Sequence, residues 1–389
     1  MRLYKTELYK LCHRKIFPIG VFCILTLLTL LFCQNLGTVR STVNGTAYHG
    51  YEAVRIDRRI TQEFEGVLTD DKIQQIVDKY GFPCQVEKYY GVSDGNYLNR
   101  FVMMYASNGY LRGWDDYRLA TKALPLDGTA LGYFREHTGE DIWFAYYDGW
   151  DYYTEWYYLG ILMTSILILC MVSTVFSQEE QRGTKPLLFT TQEGPAKNIT
   201  AKFAAAFTLS VGLWITITLF SLVLCGSVFG WESMRCLAPL VAGFSEPIIP
   251  FGMLLAKTMF LSLLGILELC ALTLCVSACC HSMFHSVVTA VLIWSLPLST
   301  QMLQGGIIQL LLAASLPASA LSVWGMIIFS FQMLLYAMPL FMTASHANIS
   351  ELDAIQSNQG VPAFWIVIGL AVVIALLGMI GAWRRYRKY

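Results

Sequence analysis

Charged residues are scarce in this chain. Asp, Glu, Lys and Arg make up 14% of its 389 residues, with 27 acidic and 27 basic side chains. A soluble globular domain carries about 25% charged residues. The scarcity excludes an ordinary soluble protein, and the zero net charge gives no electrostatic basis for binding nucleic acid.

Signatures of common enzymes and cofactor sites are also missing. The chain has no G-x-x-x-x-G-K-[ST] segment, so it cannot itself hold nucleotide phosphates in a phosphate-binding loop. Cys279, Cys280, His281 and His285 have a spacing that permits zinc, but a polar turn at a membrane edge with two incidental cysteines is the simpler interpretation. We therefore predict no metal, no cofactor and no enzymatic activity in this chain.

A disulfide framework is excluded by where the cysteines lie. Most of the eleven cysteines lie in or beside apolar runs, where cysteine behaves as a small hydrophobic residue. The long polar segment at 37–155 contains only Cys84, which has no local partner. The segment is therefore expected to fold without disulfides.

Long apolar runs dominate what is present. The chain is 55% hydrophobic with a mean hydropathy of +0.50, and several runs exceed the 18 or so residues needed to cross a bilayer. We predict an all-α polytopic membrane protein with about six transmembrane helices plus a re-entrant or outer-leaflet helical region. The predicted order is an amphipathic helix at 1–15, a first span at 16–36, a polar domain at 37–155, a second span at 156–177, a polar segment at 178–202, and the remaining spans with a basic tail at 203–389.

Two of these segments allow more than one interpretation. Residues 1–15 form either a helix on the membrane surface or a simple basic flank. Residues 286–342 are broken by Pro297, Gly305-Gly306 and Pro317, and permit one span or three. We favour one kinked span to about Leu303, followed by helices that re-enter the membrane or lie in its outer leaflet.

Lysine and arginine are distributed unevenly among the polar segments. Residues 1–15, 178–202 and 384–389 contain 5, 4 and 4 of them, whereas the short loops at 230–250 and 343–360 contain only Arg235. Basic residues accumulate in cytoplasmic loops. We therefore expect a multi-pass plasma-membrane protein with both termini cytoplasmic and the 37–155 domain outside.

The predicted external domain is mixed and mainly helical. The segment LTDDKIQQIVDKYG has Thr69 as a helix N-cap, an apolar face and Gly81 as a stop signal. Ser93-Asp94-Gly95-Asn96 is typical of a surface turn. The aromatic stretch at 143–158 indicates either an interfacial belt with a domain core or a substrate-contacting surface.

Two ionisable residues lie inside an otherwise apolar span. Lys257 and Glu268 are eleven positions apart, on nearly the same face of a helix. Lys257 is close enough to the span's end to extend its amine to water. Glu268 is deeper, and two roles stay open for it: a place in a transport path or gate, or an inter-helix hydrogen bond.

The polar segment between the second and third predicted spans carries a motif. It reads Glu-x-x-x-Gly-Thr, then a leucine-rich turn, then a lysine before the next span. The matching residues are Glu179, Gly183, Thr184, Leu187, Leu188 and Lys202. We expect a helix from Gln178 to Lys185 that Pro186 kinks or ends, with a second interruption at Gly194-Pro195.

Motif and layout together resemble type-2 ATP-binding cassette (ABC) permeases over nearly the whole chain. The version with a large domain after the first span is similar to bacterial export permeases. Gly194-Pro195 stands where such permeases often have a basic residue. The resemblance implies a cytoplasmic ABC ATPase subunit that docks on the motif, a second identical or different permease subunit, and a lipid bilayer around both.

A different class of function is also open. The chain is alternatively a multi-span membrane sensor or receptor that binds a ligand through its external domain. The number of spans and the lack of an internal signalling domain count against that interpretation.

Overall fold

A computed structural model describes residues 2–81, 95–106, 123–184, 186, 194–243, 246–313, 318–343 and 347–387. Of these residues, 80% are helical. Within the described residues, five helical segments are long and apolar enough to cross a membrane: Ile16–Thr38, Trp150–Gln181, Pro195–Phe229, Phe251–Cys279 and Ala363–Arg387. The prediction of a mainly helical, membrane-embedded protein is therefore confirmed. Shorter apolar stretches occupy Met283–Leu298 and Val323–Tyr336.

The helices are numbered here in chain order. They are α1 (Arg2–Cys12), α2 (Ile16–Thr38), α3 (Tyr51–Gln62), α4 (Asp70–Tyr80), α5 (Tyr97–Ala106), α6 (Ala130–Thr138), α7 (Trp150–Val172), α8 (Thr174–Gln181), α9 (Gly194–Phe229), α10 (Ala238–Ala242), α11 (Phe251–Cys279), α12 (Met283–Ala313), α13 (Ala318–Tyr336), α14 (Pro339–Met342), α15 (Ala347–Gln359) and α16 (Ala363–Arg387). The strands are β1 (Arg40–Val43), β2 (Thr46–His49), β3 (Gly66–Val67) and β4 (Trp143–Phe144).

The chain divides into two compact units. The first contains 1–27, 157–220 and 257–389, and the second contains 28–156 and 221–256. The first unit therefore holds most of the apolar helices, and the second holds the polar segment that follows the first span.

In its described residues, 37–81, 95–106 and 123–155, the polar segment contains two antiparallel ribbons and the helices α3 to α6. Strands β1 and β2 pair with Arg40 opposite His49, and β3 pairs with β4. Asn44 and Gly45 connect β1 to β2 with φ values of 50° and 78°. Two successive positive φ angles are what a two-residue hairpin turn requires, which is why Asn-Gly occupies it.

The helix predicted around residues 70–80 is confirmed as α4. The Thr69 side chain accepts a hydrogen bond from the Lys72 amide, and the helix stops at Gly81, whose φ is 65°. Its apolar face is buried, with Ile73 and Ile76 fully inaccessible. Capping and periodicity thus predicted this element from local sequence.

The prediction that Asn96 lies on the surface is wrong. Asn96 is 2% exposed, and its Oδ1 accepts a hydrogen bond from the Asn99 amide. The side chain therefore caps the start of α5 inside the domain. Turn-forming residues are also cap-forming residues, and only the fold distinguishes the two.

Aromatic side chains from the 143–158 stretch form part of the core of the second unit. Trp150 and Tyr153 are fully buried. The Trp150 indole packs against Trp231 and Phe251, and its Nε1 donates to the Gly230 carbonyl at 2.9 Å. Trp150 and Tyr153 therefore belong to the domain core and not to a substrate-contacting surface.

Helix boundaries around the polar segment 178–202 differ from the prediction. The second-span helix begins at Trp150 and breaks once, at Ser173, and its last part, α8, ends at Gln181 instead of Lys185. The third-span helix begins at Gly194, so Lys202 lies within it. Pro195 sits in the first turn, where a missing N–H removes no hydrogen bond, and so the Gly-Pro pair starts this helix.

The 286–342 region forms longer helices than expected. Helix α12 continues through Pro297 and Gly305-Gly306 to Ala313, so the predicted end near Leu303 is wrong. Helix α13 then runs from Ala318 to Tyr336. A proline within a long apolar helix is tolerated where neighbouring groups take up the freed carbonyl. The re-entrant placement of this region stays a prediction.

Gly149 is predicted to tolerate no side chain. Its φ is 92°, and a Cβ at this position would overlap the Phe229 ring. Gly149→Ala should lower stability by about 1–2 kcal/mol for the backbone strain, with a further about 1–3 kcal/mol for the overlap. The measurement is the thermal unfolding midpoint of the purified protein in detergent.

Gly45→Ala is the matched control for this experiment. Gly45 has a φ of 78° and nothing within 4 Å of an added Cβ, so it tests strain without overlap. Equal midpoints for the two variants would contradict the packing of Gly149 against Phe229.

Candidate functional site

A buried lysine joins three helices at one end of the first unit. Lys202 of α9 is 2% exposed, and its Nζ lies 3.1 Å from Glu7 Oε2 of α1 and 2.7 Å from Glu179 Oε1 of α8. The amine also donates to the Val175 carbonyl at 3.3 Å. Three acceptors use all three of its protons.

The last helix contributes a second set of contacts to this centre. Tyr386 of α16 donates its hydroxyl proton to Glu179 Oε2 at 2.7 Å and accepts a hydrogen bond from Asn198 Nδ2 at 3.1 Å. We call Glu7, Glu179, Asn198, Lys202 and Tyr386 the Lys202 cluster. It brings α1, α8, α9 and α16 to a single point.

The Glu-x-x-x-Gly-Thr motif is a helix stop. The Thr184 amide donates to the Glu179 carbonyl at 3.0 Å, and the Gly183 amide donates to the Glu180 carbonyl at 3.1 Å. This pair of bonds is a Schellman motif, which requires a left-handed backbone conformation at Gly183. The φ of Gly183 is 64°. The spacing of the motif thus ends α8 and holds Glu179 on the last turn, facing Lys202.

Side chains of α11 and α12 form hydrogen bonds with backbone groups that are left free where α7 ends and α8 begins. The Ser277 hydroxyl of α11 accepts from the Phe176 amide at 2.9 Å and the Ser177 amide at 3.2 Å. The Ser286 hydroxyl of α12 donates to the Ser173 carbonyl at 2.6 Å. Free amides at a helix start need such partners at membrane depth, because no water supplies them.

Two further contacts attach α8 to its surroundings. The Gln181 side-chain carbonyl accepts from the Met283 amide at 3.0 Å, which caps the start of α12. Arg14 donates to the Met171 carbonyl at 3.1 Å and to Gln178 Oε1 at 2.8 Å. Helix α8 is therefore a short, separately capped element bound on several sides.

The charges around Glu7 favour its ionised form. Burial raises the pKa of this carboxyl, but the ammonium groups of Lys202 and Lys10 outweigh burial and lower the pKa below its usual value. Lys10 Nζ lies 2.6 Å from Glu7 Oε1. Glu7 therefore stays charged and keeps its attraction to Lys202 at neutral pH.

The structure brings some of the predicted site residues together. Glu179 and Lys202 are in direct contact, and Gly183 and Thr184 form the stop that positions Glu179. Leu187 and Leu188 lie outside the described residues. Lys257 and Glu268 lie in α11 and belong to a different part of the first unit.

Glu268 is fully buried without a polar partner. Its exposure is 0%, and within the described part of the chain neither carboxyl oxygen has a hydrogen-bond partner. One turn further along α11, a Cβ on Gly378 of α16 would lie 3.2 Å from the Ala271 carbonyl carbon and oxygen. Gly378 permits this close approach of α16 to α11 because it has no side chain.

Lys257 sits at the other end of the same face of α11. Its Nζ lies 5.6 Å from the centre of the Phe364 ring of α16, a cation–π distance. Eleven residues of helix separate it from Glu268, about 16 Å, so the two charges do not pair.

A polar network crosses the membrane helices of the first unit. The Tyr157 hydroxyl lies 2.6 Å from Ser262 Oγ and 3.2 Å from Thr218 Oγ1, and Trp214 Nε1 donates to Ser262 Oγ at 2.9 Å. These residues belong to α7, α9 and α11. Inter-helix hydrogen bonds of this kind hold membrane helices together by about 1 kcal/mol each.

The second unit has a pocket of about 430 Å³ with aromatic and acidic walls. Its polar edge includes Arg100, which forms an ion pair with Asp148 at 3.1 Å. Behind it, fully buried Asp57 accepts from Ser41 Oγ at 2.6 Å and lies 3.6 Å from Arg100. Burial raises the pKa of Asp57 to about 6, although these partners work in the opposite direction.

Sequence reasoning missed several residues of the site. Glu7, Asn198 and Tyr386 were not predicted, and neither were the capping serines Ser277 and Ser286. One local signal existed, since Glu7 is the only acid among five basic residues in 1–15. The other residues have no local signature, because their partners lie about 100 or more positions away.

Comparison of the chain with protein-family models, curated proteins and solved structures finds no match. Among the described residues, no group of three or more His, Cys, Asp or Glu side chains is placed to hold a metal ion.

Removing the central lysine should destabilise the first unit. Lys202→Met removes the cation shared by Glu7 and Glu179 and leaves Glu7 only its ion pair with Lys10, which should cost about 3 kcal/mol, at the lower end for buried ion pairs. The thermal unfolding midpoint measures this. Lys197→Met, on an exposed position of the same helix, is the control and should stay close to wild type.

The triple variant Glu7→Gln, Glu179→Gln, Lys202→Met distinguishes charge from packing. It removes the two carboxylates as well and should recover part of the lost stability. A midpoint as low as that of Lys202→Met alone would contradict the electrostatic explanation.

Asp57 should make the second unit less stable as pH rises. Its pKa of about 6 lies above the ordinary 3.8, so folding favours the protonated form. The stabilisation is fully present below about pH 4 and is lost as pH rises through about 6, a change of roughly 3 kcal/mol. Unfolding midpoints at pH 4.5 and 7.5 measure it. Asp57→Asn should reduce the difference, while exposed Asp127→Asn should leave it unchanged.

Proposed function

We propose that the chain is the membrane-spanning permease subunit of an ABC transporter. It exports substrate with ATP that a separate cytoplasmic ATPase subunit hydrolyses. The observation that carries this proposal is the contact between Glu179 and Lys202. This ion pair joins the first and last residues of the sequence motif. It lies beside α8, a short helix capped at both ends, on which a soluble partner can dock.

The surroundings of α8 supply a route for mechanical coupling. A partner that pushes on Gly183 and Thr184 would move a helix that has its own caps and a break at Ser173. Hydrogen bonds from Ser277 and Ser286 would pass that motion to α11 and α12. Short polar helices that fit a groove on a soluble protein are a recurrent docking mode.

The orientation and partners follow from the same proposal. The Lys202 cluster joins residues of α1 and α16, and the basic residues near both termini favour the cytoplasmic side for it. The 37–155 domain is then extracellular. A second permease subunit completes the transporter in a bacterial plasma membrane.

Glu268 is proposed to take part in the transport cycle. Of the two roles open for it, the lack of a hydrogen-bond partner among the described residues favours the path or gate. An uncompensated carboxylate at membrane depth is costly, about 2.5–3.5 kcal/mol on insertion scales. A group retained at such a cost is a functional candidate, and Lys257 marks the end of the same helix face.

A sensor or receptor is the second candidate. The aromatic and acidic pocket of the second unit favours it, because concave aromatic surfaces bind ligands. Both functions use the same fold. Co-purification of an ATPase from native membranes supports the permease, and its absence together with ligand binding by the pocket supports the sensor.

Weakening the helix stop should weaken ATPase docking. Gly183→Ala forces alanine into a left-handed conformation, about 1–2 kcal/mol of strain, and shifts the end of α8. Glu179→Ala removes the contact with Lys202. Both variants should insert normally, yet bind less of the ATPase subunit in pull-downs from membranes and show less associated ATP hydrolysis.

Gly139→Ala is the matched control for the helix-stop variant. Gly139 has a φ of 66°, and like Gly183 it has nothing within 4 Å of an added Cβ. Its strain is equal, but it ends α6 in the second unit. Undiminished ATPase binding by both Glu179→Ala and Gly183→Ala would reject the docking assignment.

Glu268→Gln should insert normally and transport poorly. Glutamine keeps the shape of the side chain but cannot gain or lose the carboxyl proton. The measurement is ATP-driven transport in vesicles that contain the ATPase subunit, with exposed Glu140→Gln as the control. Wild-type transport by Glu268→Gln would reduce this residue to a packing role.

A further inference from the structure

Arg14 is a half-buried cation whose hydrogen-bond partners, among the described residues, are all uncharged. Its guanidinium donates to the Met171 carbonyl, the Thr174 hydroxyl and the Gln178 side-chain carbonyl, all of which are neutral. In the described part of the chain, no carboxylate forms an ion pair with it. Burial lowers the pKa of Arg14, and the negative charge of Glu7, which lies beyond ion-pair distance, offsets this only in part.

A second arginine lies close enough to add to this imbalance. Arg182 follows the last residue of α8, and its positive charge further lowers the pKa of Arg14. Arg182 is exposed, and no ion pair involves it within the described ranges. The two like charges repel each other, and a bound anion would relieve that repulsion.

Both arginines line a pocket of about 290 Å³ in the first unit, with Lys10, Lys202, Glu7 and Glu179. The two lysines and the two glutamates compensate one another through ion pairs at 2.6–3.1 Å. Arg14 and Arg182 are the two basic residues of the pocket that form no ion pair in the described part of the chain. The ionisable side chains that line the pocket are four basic and two acidic, so they carry a net charge of +2.

The pocket lies at the ends of two apolar helices of membrane-spanning length, where the headgroups of a surrounding bilayer would lie. Arg14 is two residues before Ile16, where the apolar helix α2 starts, and Arg182 directly follows the end of the second apolar segment. Both side chains therefore lie at the end of the hydrocarbon-length helices. Basic pockets at this level bind anionic headgroups, and guanidinium groups suit phosphate because they donate two parallel hydrogen bonds.

We propose that Arg14 and Arg182 bind the phosphate of an anionic lipid headgroup in this pocket, beside the Lys202 cluster. The bound phosphate would neutralise both arginines and attach α1 and α8 to the membrane surface. The proposal requires only that the chain is embedded in a membrane, and it does not depend on the transport function.

Lipid retention by the purified full-length protein tests the proposal. The protein is reconstituted in nanodiscs of phosphatidylcholine and phosphatidylglycerol, extracted in mild detergent, washed, and its retained lipids are quantified by mass spectrometry. Wild type should retain phosphatidylglycerol in preference to phosphatidylcholine. Arg182→Gln should reduce that preference about five-fold, the effect of one basic residue near a charged surface.

Three comparisons make the test specific. Arg182→Lys keeps the charge but loses the planar fork, so it should recover part of the preference. Lys197→Gln removes a positive charge outside the pocket and should behave as wild type. Inorganic phosphate added during the wash should not displace the lipid; displacement at millimolar phosphate would assign the site to free phosphate and overturn the lipid proposal.

Two results would reject the site altogether. Equal retention of the two lipids by wild type would show that no anionic headgroup is selected. An unchanged preference in Arg182→Gln, with the unfolding midpoint of wild type, would show that the lipid binds elsewhere. Arg14→Gln is a second variant, and it should also lose the preference.

Discussion

The ion pairs of Lys202 hold the first unit together at one end. A single ammonium group, almost inaccessible to solvent, meets carboxylates from α1 and α8, and Glu179 in turn accepts from Tyr386 of α16. Removing one member of such a group leaves an uncompensated charge, which costs more than the intact group contributes. Four helices separated widely in sequence therefore have to arrive in one arrangement.

The need to satisfy backbone groups without water explains the parts around this centre. The second-span helix breaks at Ser173. The Ser277 and Ser286 hydroxyls and the Arg14 guanidinium bond to backbone groups on either side of this break. The Schellman stop at Gly183 does the same for the other end of α8. The same constraint makes Glu268 conspicuous, since its carboxyl has no partner among the described residues.

Local sequence predicted those features whose causes are local. The thirty-ångström hydrocarbon core requires long apolar runs, and these identified the membrane helices. Thr69 and Gly81 marked the ends of α4, because a cap and a stop act within a few residues. The same local reasoning was wrong at Asn96, which caps a buried helix, and at Leu303, where α12 continues to Ala313.

The sequence by itself determined that this is a helical membrane protein, and it singled out Glu179, Gly183, Thr184 and Lys202 as one motif. Only the tertiary structure decided what the motif does physically. Gly183 ends α8 through hydrogen bonds within a single turn, so the five-residue spacing from Glu179 to Thr184 already implies its role. Lys202 meets Glu7 across 195 positions, and Tyr386 meets Glu179 across 207. No periodicity or cap records such pairings, because they exist only once the apolar helices have packed and excluded water from the charges between them.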